Sequence, residues 1–401
     1  MQILNGARQA YDWGSKTSMF RFLGREPDGE SFAELWFGAH PLAPSTVDTV
    51  TGTMGLDEFI AQNQTVHLGN KIRHHFDRLP YLVKLLAPLR PLSIQVHPDP
   101  AFAAEGFERE NSLGVPTSHP QRSFKDEHHK PEMVFAITSF EGLAGFRPLR
   151  EVALILEALG KPSGLAYEAA CADPQGSLRS YLEHFLQLDA DEIDQIVRKS
   201  MELAVSGPHP VVKAACQTVE ELSALYPGDV GAVISLLLNR VKLRPGQLLY
   251  IADGEPHAYL GGFGLEVMAN SDNVLRLGLT TKHIDVPSTL RALDFGSTGY
   301  KIETPPPGVV THTFRPPVEE FALSITYPHR SFGNRVELPE IGPRILVCLE
   351  GSLSVSALHT SDPNLLTRGM ALFVGASEGA VHVSGRGAIA EIFVPDSVSC
   401  A

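Results

Sequence analysis

The hydrophobic pattern of this chain changes period twice, and each change predicts a boundary between strands and helices. Over residues 1–148, short apolar runs are separated by Pro and Gly, which is typical of strands joined by turns. Over residues 149–226, Ala, Leu and Glu recur at helical spacing. A strand-like hydrophobic pattern then returns over residues 227–300. The chain is therefore predicted to be mainly β, with an α-helical insert domain that interrupts a first β-domain.

A second β-unit is expected after a proline-rich linker. Residues 301–318 include Pro305, Pro306 and Pro307, and repeated proline favours an extended chain because the ring fixes φ and removes a donor. Residues 319–401 alternate apolar and polar side chains between glycine turns, which indicates a small barrel or sandwich. This unit has no His-x-His pair, so we expect a metal-free domain that supports the first one. The alternative is that it contributes a loop to substrate binding.

Charge and cysteine spacing limit the classes of partner. The formal net charge of -13 disfavours nucleic acid and anionic membranes as partners, because both require a dominant basic face. No apolar run approaches the ~20 residues of a membrane span, and the N-terminus lacks the pattern of a secretory signal. Cys171, Cys216, Cys348 and Cys400 are far apart and lack CxxC spacing. We expect reduced thiols, a cytoplasmic location and a small-molecule partner.

The strongest local motif is the strand-like segment 93–99. A side-chain period of two places Ser93, Gln95 and His97 on one face of such a strand. Burying these polar groups without partners would cost roughly 1 to 3 kcal/mol each. They are therefore expected either to hydrogen-bond inside the core or to bind a ligand. Further ligands are needed before a metal is favoured over a hydrogen-bonded core histidine.

Two further segments supply such ligands. Glu132 and His257 each follow a proline directly, and His97 is followed by one, so all three lie where the chain is locally rigid. Two imidazoles, one carboxylate and the Gln95 amide form a mixed nitrogen and oxygen set, which suits zinc with an open position for substrate. The sequence therefore predicts one zinc ion per chain.

The spacing of these residues also favours a barrel. Segment 246–257 matches the second cupin motif, with Ala252 where proline is usual. The first cupin motif fits less well, because Gln95 replaces its first histidine and Glu132 lies far downstream. The excursion over residues 101–125 is interpreted either as a lid beside the metal or as a solvated connection.

Several motifs carry a resemblance to a known family. They are Tyr11–Ser15, Ala33–Pro41, Pro80–Leu86, Leu92–Pro98, Lys125–Met133, Glu141–Pro148, Tyr226–Asp229, Glu255–Tyr259 and Ser271–Thr280. In their content and order the chain resembles the type I phosphomannose isomerases over nearly its whole length. The resemblance implies two cupin-like β-barrel (jelly-roll) domains plus a helical domain. It also implies an isomerase that interconverts D-mannose 6-phosphate and D-fructose 6-phosphate by zinc-assisted proton transfer through an enediolate.

The resemblance also implies roles for individual residues. The zinc ligands would be Gln95, His97, Glu132 and His257. The arginine that the family treats as catalytic falls on Arg276, and the lysine that follows it falls on Lys282. Thr281 stands where the family has a proline before that lysine, so the stiffness of this loop differs from the family pattern.

Aldose–ketose isomerisation requires a base that moves a proton between C1 and C2, polarisation of the two oxygens, and an anion site for the phosphate. The candidate catalytic residues are Arg276, His129, Lys130, Asp272 and Glu266, with no single base preferred. The candidate substrate-binding residues are Lys84, Ser93, Lys282 and Trp13. Lys84 differs from the other cations because a lysine within an apolar run needs a partner.

Two other classes of function stay open at this point. One is a bicupin sugar-binding or regulatory protein with a structural metal. The other is an iron-dependent cupin oxidoreductase, although such a site would favour more histidine ligands. A monomer is expected and a homodimer is left open. The sequence does not decide between a role in GDP-mannose biosynthesis and one in mannose catabolism.

Overall fold

The computed structural model describes residues 1–50, 52–160, 173–296, 298–339, 342–357 and 363–396. Its architecture is mainly β, because antiparallel sheets form the framework and helices pack beside them. The strands are β1 (Gln2–Leu4), β2 (Ala7–Gln9), β3 (Glu34–Phe37), β4 (Thr46–Thr49), β5 (Gly52–Gly55), β6 (Tyr81–Leu86), β7 (Ile94–Val96), β8 (Glu132–Ala136), β9 (Phe140–Phe146), β10 (Leu238–Leu243), β11 (Leu248–Ile251), β12 (His257–Gly261), β13 (Gly264–Ala269), β14 (Leu275–Gly278), β15 (Ile302–Glu303), β16 (Thr311–Phe314), β17 (Ala322–Thr326), β18 (Arg335–Leu338), β19 (Arg344–Ala357), β20 (Asn364–Thr367), β21 (Ala371–Val374) and β22 (Val381–Phe393).

The helices of the described residues begin at polar caps in several places. They are α1 (Ser18–Leu23), α2 (Leu56–Gln62), α3 (Gln64–His67), α4 (Gly69–Phe76), α5 (Pro100–Ser112), α6 (Leu149–Ala158), α7 (Pro174–Phe185), α8 (Ala190–Ser206), α9 (Pro210–Leu225), α10 (Val230–Ile234) and α11 (Val286–Ala292). Asp99 caps α5 by accepting a hydrogen bond from the Phe102 N–H, and Asp189 forms a capping box with Glu192 at the start of α8. The excursion over residues 101–125 is therefore largely helical at its start.

The candidate site lies between two of the sheets. One is seven-stranded, in the order β15–β11–β8–β13–β6–β3–β2, and the other is five-stranded, in the order β10–β9–β12–β7–β14. Their facing sides share a cluster of buried side chains, which includes Leu86 and Val134 from the first sheet and Phe140 and Tyr259 from the second. Among the described residues neither sheet closes into a barrel by hydrogen bonds. The two sheets thus form a sandwich.

The helices α6 to α9 pack against the five-stranded sheet. A single cluster of buried side chains joins Val152, Leu182 and Val219 of these helices to Phe146 and Leu238 of the sheet. This packing buries the apolar face of each helix, which is the main source of stability for helices of this length.

A third sheet contains the C-terminal strands. Its path is β1–β21–β19–β22–β17–β16, with β18 paired to β22 and β20 paired to β19. Strand β1 comes from the N-terminus and pairs with β21. One large hydrophobic cluster joins Val83 and Leu265 of the seven-stranded sheet to Ile345 and Phe373 of the third sheet. The C-terminal strands therefore share a core with the sheet that carries part of the site.

Cys216 and Cys348 are free and buried, whereas Cys171 and Cys400 lie outside the described residues. No helix among the described residues is both long enough and apolar enough to cross a membrane.

Candidate active site

A cavity of about 270 Å³ opens between the seven-stranded and five-stranded sheets. Most of the residues predicted from the sequence line it, namely Trp13, Lys84, Ser93, Gln95, Lys130, Glu132, His257, Glu266, Asp272, Arg276 and Lys282. His97 lies beside Glu132 and is fully buried. His129 is not among the lining residues. The fold thus gathers distant segments of the chain around one polar space.

Three of the predicted zinc ligands form a compact cluster. One ligand atom from each of His97, Glu132 and His257 lies within 4.8 Å of the other two. His257 Nε2 is 2.9 Å from Glu132 Oε1, and His97 Nε2 is 3.4 Å from Glu132 Oε2. All three side chains are buried. Two imidazole nitrogens and a carboxylate in this arrangement fit a divalent metal, and zinc prefers this donor set.

The second nitrogen of each histidine fixes the orientation of its ring. His97 Nδ1 donates to the Asn273 carbonyl at 2.7 Å, and His257 Nδ1 donates to the Glu255 carbonyl at 3.0 Å. These bonds leave both Nε2 atoms directed at Glu132. Burial, together with the nearby Lys130 ammonium, lowers the pKa of His97 to about 3. A neutral imidazole is the form that binds a metal, and the second hydrogen bond fixes its tautomer.

Gln95 is placed beside the cluster by strand register. It pairs with His257 of β12 on one side and with Arg276 of β14 on the other. Its Nε2 donates to Ser93 Oγ at 3.1 Å, a bond that does not use the amide oxygen. The row His257, Gln95, Arg276 therefore connects the metal cluster to the cationic end of the cavity.

The opposite wall carries a second row of polar side chains. Trp36 of β3 pairs with Lys84 of β6, and Lys84 pairs with Glu266 of β13. Lys84 Nζ lies 3.0 Å from Glu266 Oε2 and 4.0 Å from Glu34 Oε1. Burial alone would lower the pKa of Lys84, but Glu266 and Glu34 raise it above its usual value. Lys84 therefore has the partner that its place in an apolar run requires.

Four of the titratable residues that line the pocket were not singled out from the sequence. They are Tyr11, Glu34, His40 and Tyr259. Glu34 accepts a hydrogen bond from the Trp36 indole at 2.6 Å, and Tyr259 donates to Glu132 Oε1 at 3.1 Å. Glu34 could have been noticed in the sequence, because it is a carboxylate within an otherwise apolar strand. Tyr259 gave no signal of its own, because a tyrosine in a strand is ordinarily a packing residue.

Arg276 and Lys282 form the cationic end of the cavity. In the described part of the chain neither has a carboxylate within ion-pair distance, and Arg276 Nη1 donates to the Val274 carbonyl at 3.4 Å. Burial lowers the pKa of both groups, and the Arg276 charge lowers that of Lys282 further. Arg276 is partly buried and Lys282 is exposed. Two neighbouring cations that repel each other and lack an acidic partner in the described part of the chain form a site suited to an anion.

The loop that carries Asp272 is held by a hydrogen-bond network. Asp126 accepts from Ser271 Oγ at 2.8 Å and from the Asp272 N–H at 2.8 Å, and Asn273 Nδ2 donates to the His128 carbonyl at 2.8 Å. Asp272 Oδ1 lies 3.3 Å from His40 Nε2 at the edge of the cavity. Burial alone would raise the pKa of Asp272, but His40 holds it below its usual value. An ionised carboxylate is thus kept close to the cluster.

Lys130 and His129 are neighbours in sequence with different surroundings. Lys130 Nζ contacts Glu132 Oε2 at 2.8 Å and His97 Nε2 at 3.3 Å, so it belongs to the cluster. The His129 ring instead lies between Asp253 and Glu320, at 2.7 and 2.8 Å. Of the two, only Lys130 is placed to reach a molecule in the cavity.

The arrangement as a whole suits the chemistry of a small anionic carbonyl compound. It combines a buried metal-binding cluster, an anion site at one end, and the carboxylates Glu266 and Asp272 along the wall. Pockets with a few convergent polar groups of perturbed pKa are typical of active sites.

Comparison with known proteins gives a consistent result. Residues 1–149 match the family model described as phosphomannose isomerase type I, catalytic domain. The mannose-6-phosphate isomerase of Salmonella typhimurium is 36% identical over 98% of this chain and 99% of its own length. The mannose-6-phosphate isomerase of Homo sapiens is 31% identical over 94% of this chain and 93% of its own length.

Solved structures agree with these relatives. A zinc-bound crystal structure of mannose 6-phosphate isomerase has a TM-score of 0.86 and 33% identity, and it covers 98% of this chain and 99% of its own. A crystal structure of a variant phosphomannose isomerase from Salmonella typhimurium reaches a TM-score of 0.87 at 33% identity with the same coverage. The similarity therefore extends over the whole chain in both sequence and fold.

Proposed function

This chain belongs to the type I phosphomannose isomerase family, and we propose that the cavity between its two sheets carries out the family's reaction with the residues described above. The chain is an aldose–ketose isomerase that interconverts mannose 6-phosphate and fructose 6-phosphate, and its cofactor is zinc. The expectation drawn from the sequence motifs is confirmed for the family, the reaction and the metal. Neither the regulatory protein nor the iron oxidoreductase is favoured, because the relatives are named as isomerases.

We assign the phosphate to Arg276 and Lys282. This end of the cavity holds two cations that have no carboxylate partner among the described residues. A phosphate dianion would relieve their mutual repulsion and replace the water that the partly buried Arg276 has lost. With the phosphate there, the sugar chain extends along the Gln95 row toward the metal cluster.

We assign the zinc ion to His97, Glu132 and His257, with the Gln95 amide oxygen as the fourth ligand. When bound, the ion supplies a Lewis acid that polarises the C1 and C2 oxygens of the open-chain sugar. Lys130 neutralises part of the charge on Glu132 and can donate a hydrogen bond to a sugar oxygen. Ser93 supports Gln95, and Trp13 forms an apolar wall at the opening.

The proton transfer between C1 and C2 needs a base beside the sugar. The lining carboxylates outside the zinc set are Glu34, Glu266 and Asp272. Burial raises the pKa of Glu34 above its usual value, so Glu266 and Asp272 are preferred as the base. Glu266 is held by Lys84 at 3.0 Å, and Asp272 by His40 at 3.3 Å. We propose that one of these carboxylates carries the proton and that the Lys84 cation stabilises the negative charge of the enediolate.

We propose that residues 1–148 and 227–300 form a cupin jelly roll that contains most of the seven-stranded and five-stranded sheets, and that residues 149–226 form a helical insert. We propose that residues 319–401, after the linker 301–318, form a metal-free cupin-like domain. Strands β1 and β16 add to the sheet of that domain, and β15 adds to the seven-stranded sheet. The facing polar rows and the open sandwich support this description. We further propose a monomer in the cytoplasm, a location that suits the scattered cysteines because it is a reducing compartment.

The observation that carries the proposal is the buried cluster of His97, Glu132 and His257. Chelation of the purified protein should abolish turnover of mannose 6-phosphate, and stoichiometric zinc should restore it. His257→Ala should lose zinc, measured as metal content after gel filtration. His382→Ala is the matched control, because His382 lies in β22 of the third sheet, away from the cluster. Full activity in protein shown to be metal-free would contradict the proposal.

A further inference from the structure

The imidazole of His129 links two sheets through carboxylates on both of its nitrogens. Nδ1 lies 2.7 Å from Asp253 Oδ2, and Nε2 lies 2.8 Å from Glu320 Oε1. Asp253 belongs to the turn between β11 and β12, and Glu320 precedes β17 of the third sheet. The side chains of the three residues are 17%, 22% and 15% exposed, in the order His129, Asp253, Glu320. This cluster therefore connects the C-terminal strands to the turn that leads into the zinc site.

The cluster is held by charge as well as by hydrogen bonds. Burial alone would lower the pKa of His129, but Asp253 and Glu320 raise it to about 10. Both ring nitrogens therefore carry protons at neutral pH and donate to the two carboxylates. Asp253 Oδ1 and Glu320 Oε2 are buried and have no hydrogen-bond partner among the described residues. The two carboxylates consequently depend on His129 for their stabilisation.

The turn that carries Asp253 supports both zinc-binding histidines. The next residue, Gly254, donates its N–H to the His97 carbonyl at 2.9 Å. Gly254 has a φ of +77°, and a Cβ there would lie 3.0 Å from the Ala292 carbonyl oxygen, so the turn tolerates little change of shape. The carbonyl of Glu255 accepts from His257 Nδ1. A shift of Asp253 would therefore move groups that orient His97 and His257.

We propose that Glu320 is a positioning residue for the zinc site, acting through His129 and Asp253 on the turn that orients the two histidine ligands. This inference rests on the proposed zinc site. It means that the C-terminal part of the chain helps to hold the two histidine ligands in place. Glu320 does not line the cavity or contact a zinc ligand, so its effect should appear in how firmly the metal is held. Groups that orient metal ligands typically change metal affinity by 10- to 100-fold when they are replaced.

The test is the rate at which zinc leaves the loaded protein when a chromophoric chelator is added in excess. Glu320→Gln keeps the size of the side chain and removes its charge, and we expect zinc release about 10-fold faster than from the unmodified protein. Glu319→Gln is the matched control. Glu319 is the preceding residue, its side chain is 63% exposed, and it pairs with His75. Its replacement should leave the release rate unchanged.

A second variant keeps the test decisive if Glu320→Gln does not fold. His129→Gln breaks the same connection from the other side and should also speed zinc release. When both single variants fold, the double variant should release zinc no faster than the faster single one, because both changes interrupt one path. Release from Glu320→Gln within twofold of the unmodified rate, or an equal increase in Glu319→Gln, overturns the inference. Failure of the unmodified protein to bind zinc would instead count against the proposed zinc site.

Discussion

The properties of individual side chains in and near this site depend on the hydrogen-bond or ion-pair partners of their polar atoms. His97 and His257 each direct Nε2 at Glu132 because their Nδ1 atoms donate to backbone carbonyls. His129 has carboxylates on both nitrogens, and these make it a cation. Arg276 has a carbonyl but no carboxylate partner within the described structure, and this leaves its charge available to an anion. Residue type alone predicts none of these differences.

Arg276→Ala should lower kcat/KM for mannose 6-phosphate roughly 100-fold or more, because a half-buried cation at the anion site would be lost. Zinc content should not change, since Arg276 is not one of the assigned zinc ligands and its Nη1 donates to the Val274 carbonyl. The measurement is kcat/KM beside metal stoichiometry in the same preparations. Arg291→Ala is the control, because Arg291 is an exposed arginine of α11 that pairs with Glu105. Loss of zinc in step with activity would show that Arg276 supports the metal site.

His129 gives a prediction about the pH dependence of stability. Its pKa is about 10 in the folded chain and about 6.5 in an unfolded chain. A raised folded-state pKa contributes stability that is complete below the unfolded value and is lost as the pH rises through the folded value. The difference in Tm between the unmodified protein and His129→Gln should therefore be largest near pH 6 and shrink steadily toward pH 10. A difference independent of pH would show that the His129 cation contributes nothing.

Strands and helices could be predicted from the sequence where one short pattern determined both the backbone conformation and the side of the element on which the polar residues lie. The alternation around Gln95 places its polar residues on one side of β7, and the prolines next to His97, Glu132 and His257 identify rigid positions. The change to helical spacing near residue 149 coincides with the start of α6 at Leu149. Such features depend on neighbours within a few residues, and these are visible in a sequence.

Pairings between distant strands could not be predicted in the same way. Trp36, Lys84 and Glu266 lie in one row because β3, β6 and β13 are neighbouring strands and these three residues are register partners. A slip of one residue would place each side chain on the other face, and no local pattern fixes the partner strand. The same limit applies to His129, whose partners Asp253 and Glu320 are far along the chain. Sequence therefore predicts many of the residues that line the cavity but not which of them are already paired.

At the scale of the whole molecule, the C-terminal strands act on the site without entering it. Every described residue that lines the cavity lies between Tyr11 and Lys282. The third sheet nevertheless shares a hydrophobic cluster with the seven-stranded sheet, and Tyr81 of β6 donates its hydroxyl to the Ile392 carbonyl at 2.9 Å. Strand β1 adds the N-terminus to the third sheet. The first and last parts of the chain are thus joined by a core, by hydrogen bonds and by the His129 cluster.

Truncation before Glu319 tests how much the contacts with the third sheet stabilise the rest of the chain. Removal of residues 319–401 would take away the pairing partner of β1 and expose the face of the seven-stranded sheet that includes Val83 and Leu265. Apolar surface left in water costs roughly 25 cal/mol per Å², and a large exposed patch favours aggregation. We therefore expect an aggregated product or one with a much lower Tm, measured by size-exclusion chromatography and thermal unfolding. A soluble, zinc-loaded product of normal Tm with a strongly raised KM would instead mean that this region contributes directly to substrate binding.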